Sequence, residues 1–347
     1  MKTVYVGLSG GVDSSIAAAL LQKHGYRVVG VYMKNWSQDL PGLPCPWQED
    51  YQDAKRVAVQ LGIEFKMYDF EKDYRQRVVD YMLDGFKAGI TPNPDIMCNQ
   101  EIKFKLFLDT ALADGADMIA TGHYAATKDG RLLKAKDDNK DQTYFLYRVS
   151  HQALDKTLFP LGDLTKPQVR QIAKDLGLVT AAKKDSMGIC FVGKVGIKDF
   201  LKQYVEENRG AIIDDKGKQI GEHDGAIFYT IGQRHGLDIG GGLPYYVVGK
   251  DMDKNQVYVT TDLQDEKLWS QTLKLTSMHW INGAPSATQN LMVRTRHRAK
   301  LIPVKKLNKL SKLQWEAEPE EEVRAVTPGQ SAVFYSDKEC LGGGVVV

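Results

Sequence analysis

Ser9-Gly10-Gly11-Val12-Asp13-Ser14-Ser15 joins an apolar segment, Val4-Tyr5-Val6-Gly7-Leu8, to an alanine-rich one over residues 16–21. The first reads as a strand and the second as a helix. The two glycines between them let the backbone approach an oxyanion, while the first helical amides and the helix dipole supply donors and partial positive charge. Ser9, Ser14 and Ser15 add hydroxyls. The stretch therefore reads as a phosphate cradle. No Lys follows the last glycine as in G-x-x-x-x-G-K-[ST], which argues against a P-loop of the kinase or GTPase kind. The plainer alternative is an ordinary strand-to-helix turn in which Asp13 merely favours the first helical turn.

Outward from this loop, strands and helices alternate to about residue 123: extended at 28–33, helical at 47–61, extended at 63–68, helical at 71–87 and extended at 118–121. Such alternation predicts an α/β fold with a doubly wound parallel sheet. Ligands of such sheets sit outside the carboxyl ends of the strands, where the 9–15 loop, Met33 and Gly122-His123 all fall. Thr165 and Pro167 announce a further helix that stops at Gly177. One helix over 197–207 then precedes short apolar strands, broken by turns such as Asp215-Lys216-Gly217 and Asp253-Lys254-Asn255. The second half reads mostly β, with boundaries near 195 and 265 that give a first domain over 1–195, a small central domain over 196–265 and a C-terminal domain over 266–347.

The length of 347 residues agrees with two or three domains, and 43% apolar residues suffice for ordinary cores. Four cysteines without paired spacing point to reduced thiols in a cytosol-like compartment. Met1-Lys2 leads directly into a strand, and no apolar run approaches the roughly 20 residues of a membrane helix, so the expectation is a cytoplasmic protein without a membrane partner. The net charge of +2 is unevenly spread: residues 291–313 carry eight Lys or Arg and no acid, and five Glu follow within 316–322. Two solvated strands facing one another would produce this pattern, and so would a surface for an RNA phosphate backbone.

Thr91-Pro92-Asn93-Pro94-Asp95-Ile96-Met97-Cys98-Asn99 is a proline-stiffened loop that delivers Cys98 to the start of an apparent helix over 100–113. A thiol at a helix N-terminus, with Lys103 and Lys105 downstream, has reason to be reactive. Asp95 is a general base or simply a cap. Cys190 sits in a second glycine- and lysine-bearing turn, Lys183-Lys184-Asp185-Ser186-Met187-Gly188-Ile189-Cys190-Phe191, whereas Cys45 and Cys340 fit small buried hydrophobes.

The 9–15 loop resembles the PP-loop of ATP pyrophosphatases, which transfer AMP onto a carbonyl or carboxylate oxygen. Taken with Asn93-Pro94-Asp95-x-x-Cys98-Asn99, Thr121-Gly122-His123-Tyr124 and Asp185-Ser186-x-Gly188-Ile189-Cys190-Phe191, it makes the chain closely similar to the bacterial tRNA-specific 2-thiouridylases of the MnmA/TrmU family. The similarity runs on through Met33-Lys34-Asn35-Trp36, Lys140-Asp141-Gln142, Gly232-Gln233-Arg234-x-Gly236-Leu237, Thr327-Pro328-Gly329-Gln330-Ser331-Ala332 and Leu341-Gly342-Gly343-Gly344.

The resemblance implies a PP-loop ATP-pyrophosphatase domain of Rossmann-like kind, a small central domain and a C-terminal β-barrel that grips tRNA. It implies ATP contacts at Gly7, Leu8, Ser9, Gly10, Gly11, Val12, Asp13, Ser14, Met33 and Gly122, with Mg2+ accompanying the nucleotide and no resident metal site. It implies tRNA contacts at Asn93, Pro94, Asp95, His123, Lys140, Asp141, Gln142, Arg296, His297 and Gln330, the first three bordering the target base. It makes Cys190 the persulfide carrier, charged by a cysteine desulfurase or a relay protein, and Cys98 the nucleophile acting on it, with a transient Cys98–Cys190 disulfide or a released hydrosulfide. Asp95 assists as acid or base, and the wobble uridine of the anticodon loop must be turned out to react. Two other readings stay open: a PP-loop ligase acting on a small molecule, which would need neither the basic β-domain nor paired cysteine loops, and a non-enzymatic RNA-binding or sulfur-relay protein.

Overall fold

The computed structural model describes residues 1–39, 45–184, 196–240, 242, 244–286 and 290–347. Its first layer is a five-stranded sheet in the order Glu64–Asp69, Arg27–Lys34, Thr3–Gly7, Met118–Ala120, Thr157–Leu158, with every pairing parallel. The inner strand Thr3–Gly7 is buried from Val4 onward and Arg27–Lys34 is buried over most of its length, while the edge strand Glu64–Asp69 is nowhere fully buried. Sheets covered on both faces need such continuous apolar strands. From Thr3–Gly7 the chain winds first to one side and later returns to pair Met118–Ala120 on the other. The strand order therefore reverses beside Thr3–Gly7, and the 9–15 loop lies at that switch point, where α/β sheets bind ligands. Helix Val12–Lys23 lies close on the sheet because Ala17 and Ala18, both 0% exposed, present almost no side chain.

Two long helical runs flank the sheet. Residues 71–87 pass through a π-helical stretch at Arg75–Val79, and residues 94–113 through a longer one at Cys98–Leu106. Helix Lys166–Asp175 starts at a Thr165/Gln168 capping box with Pro167 in its first turn, and Gly177 follows its end at φ +61°. The helix expected over 197–207 is shorter, Ile197–Leu201: Phe200 and Leu201 are buried, Tyr204 and Val205 still pack on the core but from turns, and the Asn208 amide is drawn to the Asp224 carbonyl.

The central β unit is a four-stranded sheet in the order Tyr246–Asp251, Gln256–Thr260, Gly210–Ile213, Gln219–His223. After it, six antiparallel strands close into a barrel in the order Leu273–Trp280, Gln314–Pro319, Ile302–Lys309, Met292–Arg294, Ser331–Ser336, Glu339–Val346, with the last pairing the first. At the seam the backbones touch: a Cβ on Gly342 would lie 2.1 Å from the His279 carbonyl oxygen. A hairpin of the first half, Ala126–Lys128 with Arg131–Leu133, extends the barrel by pairing with Glu339–Val346. Its three-residue strands are too short to have signalled themselves in sequence. One apolar core runs from Tyr5 and Phe107 through Ile212 and Val247 to Val333 and Tyr335, so all three parts of the chain share it.

The basic and acidic runs face one another directly. Ile302–Lys309 pairs antiparallel with Gln314–Pro319, Lys306 opposite Glu318, and Lys300 Nζ lies 2.7 Å from Glu321. Part of the positive charge is thereby spent within the barrel.

Candidate active site

The cradle is held open by two different uses of glycine. Gly10 has φ +72°, and a Cβ there would lie 2.4 Å from the Asp50 carbonyl oxygen, so only glycine allows the turn and the close approach of helix Trp47–Leu61. Gly11, the N-cap of helix Val12–Lys23, has an ordinary extended backbone, and a Cβ there would meet nothing closer than Ser9 Oγ at 3.5 Å. Its missing side chain leaves the space before the first helical amides empty, which fits a phosphate. Ser14 Oγ accepts from Ser9 N at 3.2 Å and donates to the Gly11 carbonyl at 3.1 Å, while Ser15 Oγ donates to the same carbonyl at 2.8 Å.

The other expected nucleotide residues surround this loop. A Cβ on Gly7 would lie 2.9 Å from Met33 Cε, and one on Gly122 would lie 2.6 Å from Ser14 N. Leu8 is buried beneath the loop and Val12 in the helix packing. The Asp13 carboxylate faces inward: Lys166 Nζ donates to both its oxygens at 2.8 Å, and the Tyr124 hydroxyl to one of them at 2.9 Å. Among the described residues no group of three or more His, Cys, Asp or Glu is placed to hold a metal ion.

The 94–113 run carries the second set. Asn93 is the cap, its side chain accepting from Ile96 N at 3.3 Å, which leaves the Asp95 carboxyl available. Burial pushes the Asp95 carboxyl above its ordinary range, and nearby Lys103 pulls it partly back. Cys98 does not start the helix. The helical run begins at Pro94, and Cys98 opens the π stretch beyond the first turn, 2% exposed in the core. The thiol expected to be reactive at a helix N-terminus is thus a buried one. Cys340 is buried as expected, its thiol pushed up by burial, whereas Cys45 is half-buried. Cys190 lies outside the described residues.

His123 ends the crevice. Lys103 Nζ approaches its Nε2 at 3.5 Å, and its Nδ1 sits 2.8 Å from Thr121 Oγ1. Burial, with Lys103 second, holds the imidazole well below its usual range, so the ring is neutral. A cavity of about 560 Å³ opens beside Asp95. Asn93, Pro94, Asp95 and Gln330 line one side of it and Thr230, Gln233 and His235 of the central unit the other. Gln330 Nε2 donates to the Thr91 carbonyl at 2.8 Å, and Thr91 N donates to the Pro328 carbonyl at 2.8 Å, fastening the barrel to the cavity rim.

The remaining sequence-chosen residues gather elsewhere, at the junction between the first domain and the barrel. Asp141 is buried: it accepts from Ala135 N at 3.1 Å and Thr143 Oγ1 at 2.8 Å, with Arg294 Nη1 at 3.6 Å. Gln142 accepts from Tyr124 N at 2.9 Å, and His297 Nε2 donates to the Asp141 carbonyl at 3.0 Å. Arg296 donates through Nη2 to the carbonyls of Ile231 at 3.1 Å and Ala325 at 3.0 Å. Lys140 is half-buried at the same edge. The Asp141 side chain thus serves the junction and that of Gln142 the first domain, with Asp141 buried and Lys140 and Gln142 half-buried.

Sequence reasoning missed the partners of Lys166 and Lys183. Lys166 belonged to a helix-start signal, yet its ammonium reaches Asp13 across 153 positions. Lys183 binds Asp50 at 2.8 Å and Asp53 at 2.7 Å, bracing the helix whose Asp50 carbonyl abuts Gly10. Neither partnership has a local signature.

Three family models match the chain: the tRNA methyl transferase HUP domain over residues 2–194, the tRNA methyl transferase PRC-barrel domain over 198–261, and the Aminomethyltransferase beta-barrel domain over 270–346. The tRNA-specific 2-thiouridylase MnmA of Idiomarina loihiensis is 49% identical over 356 residues, covering 99% of this chain and 96% of that protein. The MnmA of Salmonella typhimurium is likewise 49% identical, with 99% and 96% covered, and that of Bacillus cereus 47% identical, with 99% and 94% covered. Among solved structures, a 4-thiouridine synthetase–RNA complex with bound ATP matches with TM-score 0.38 and 18% identity, over 59% of this chain and 50% of that one. With near-half identity sustained along the whole length, the chain belongs to the MnmA/TrmU family of tRNA-specific 2-thiouridylases.

Proposed function

We propose that this protein is a tRNA-uridine 2-sulfurtransferase that adenylates the C2 oxygen of a wobble uridine and then replaces it with sulfur. The observation that carries the reading is a glycine-built phosphate cradle in the same fold as a cavity rimmed by Asn93, Pro94 and Asp95, in a chain 49% identical over 99% of its length to a tRNA 2-thiouridylase. Oxygen on C2 of uracil is a poor leaving group. Its attack on the α-phosphorus of ATP forms an O–P bond, breaks the bond to pyrophosphate and turns the oxygen into departing AMP. Mg2+ bound with the nucleotide would neutralise phosphate charge.

The residues divide the work. Amides behind Gly11 and the Ser9 and Ser14 hydroxyls hold phosphate. Asp95, a carboxyl raised by burial, is a stronger base than an exposed one and takes the N3 proton. Cys190 brings sulfur as a persulfide from a desulfurase or relay protein, and Cys98 acts on it. Its burial means that Cys98 reacts only when the crevice rearranges around the turned-out base. The barrel and the 560 Å³ cavity receive the anticodon loop. The activity belongs in the cytoplasm, where tRNA and reduced thiols coexist.

Nucleoside mass spectrometry of tRNA incubated with enzyme, ATP, Mg2+ and a persulfide donor tests the reading. It expects 2-thiouridine that depends on both ATP and Cys190. Pyrophosphate release that ignores tRNA would favour a small-molecule ligase instead.

A further inference from the structure

The lysine that approaches His123 has no role in the account so far. Lys103 is half-buried and forms no ion pair among the described residues, although its neighbour Lys105 is paired with Glu101 at 3.0 Å. The ammonium stands 3.5 Å from His123 Nε2, which accepts from it, and His123 is fixed at its other nitrogen by Thr121. A neutral imidazole orients a cation without cancelling its charge. The position is central. Through Gly122, the residue before His123, this strand end touches the amide of Ser14 in the cradle. Along its own run Lys103 lies five residues beyond Cys98 in a π-helical stretch, where i→i+5 bonding stacks such residues one turn apart. Its charge also reaches Asp95. An uncompensated ammonium is thus held between the phosphate cradle, the base and the thiol.

We propose that Lys103 binds a phosphoryl oxyanion in this crevice, which makes it a further catalytic residue of the reaction proposed above, on whose reading this inference rests. Two sources present the same chemistry: the α-phosphoryl group of ATP, on which negative charge builds as the uracil oxygen attacks, and the backbone phosphate of the turned-out nucleotide. A fixed cation aimed where charge develops accelerates such a step without reorganisation.

The test compares wild-type enzyme with Lys103→Met and Lys103→Arg in three measurements: ATP affinity without tRNA, tRNA affinity across a salt series without ATP, and single-turnover AMP formation with both. If the ligand is the α-phosphoryl group, Lys103→Met slows AMP formation by about 10²-fold or more, with the tRNA salt slope unchanged. If it is the backbone phosphate, Lys103→Met makes the log–log salt slope shallower by about 0.7, with ATP affinity unchanged. In either case Lys103→Arg, which keeps the charge, restores much of the loss. The proposal is overturned if Lys103→Met leaves all three quantities within about twofold of wild type, or if Lys103→Arg is as defective as Lys103→Met, since packing rather than charge would then explain the effect. Wild-type enzyme that forms no AMP with tRNA contradicts the reading of function instead, and the two binding measurements, which need no turnover, still decide whether Lys103 meets an anion.

Discussion

The phosphate crevice and the domain–barrel junction are both built from backbone and polar groups held at close range, but they are made in opposite ways. The crevice is largely local: residues 7–15 supply the strand end, the turn and the helix start with bare backbone at Gly10 and Gly11, and Gly122 joins them from the end of strand Met118–Ala120. The junction is distributed: Asp141 meets Arg294 and His297, and Tyr144 meets Ser331, partners more than 150 positions apart, through an ion pair and hydrogen bonds already formed. A cradle kept clear of side chains leaves its backbone donors open to a phosphate. A junction whose hydrogen bonds are already made resists exchange and holds the barrel at a fixed place beside the crevice.

The sharpest way to break that contrast is Asp141→Ala. It removes the acceptor of the Ala135 amide and one partner of the Thr143 hydroxyl, which keeps the Tyr335 hydroxyl at 3.3 Å, and leaves Arg294 without its carboxylate in a buried site. The expected cost is about 3–5 kcal/mol, read by denaturant unfolding. If Asp141 is instead mainly an RNA contact, stability will barely change and tRNA affinity will fall.

The crevice should fail differently. Gly122→Ala places a Cβ 2.6 Å from Ser14 N, where backbone must move to make room, and overpacking of this kind costs about 1–3 kcal/mol. ATP affinity should drop along with stability, since the displaced atoms belong to the cradle. Isothermal titration with a non-hydrolysable ATP analogue checks this, and unchanged affinity would detach strand Met118–Ala120 from the nucleotide site.

These two regions also mark what the sequence could say. The cradle was legible because glycine position, strand and helix fall within one short window, and the parallel sheet because buried strands and amphipathic helices alternate with clear period. The Asn93–Asp95 rim was legible as a stiff loop, though not that Asn93 rather than Asp95 would be the cap. Cys98 misled because Asn99 and Gln100 look like a helix start, whereas Pro94 at the first position begins the run earlier and carries the thiol into the core. That Asp141 of the Lys140-Asp141-Gln142 triplet is buried against Arg294 was not legible, because nothing local announces a partner 153 positions away. The barrel's closure and the added hairpin depend on pairings between distant strands, which no window contains.

A third comparison lies within the basic strand. Lys300 and Lys306 are engaged by Glu321 and Glu318, whereas Lys305 is exposed without an ion pair among the described residues. Lys305→Ala should therefore lower the log–log salt slope of tRNA binding by about 0.7–0.9, and Lys300→Ala should leave it nearly unchanged. Equal effects would mean that tRNA opens the Lys300–Glu321 pair. The smallest effect is expected at Asp95. Burial raises its carboxyl above the ordinary range, so the folded state favours the protonated form, and this contribution to stability is lost as pH rises from the ordinary carboxylate value through the raised one. Asp95→Asn should remove that part of the pH dependence and slightly raise the melting temperature at neutral pH, while thiolation falls. A lower melting temperature would show that the carboxylate is held by partners rather than merely buried.

Gly11→Val tests most directly whether the glycine cradle is the site of activation. The backbone there is extended and the nearest atom to a new Cβ is Ser9 Oγ at 3.5 Å, so the fold should accept the side chain, which then fills the phosphate space. On one preparation with a wild-type melting curve, tRNA-dependent AMP formation and 2-thiouridine would be measured beside tRNA binding. The account predicts retained tRNA affinity with no AMP and no 2-thiouridine; AMP formation at the wild-type rate would contradict it.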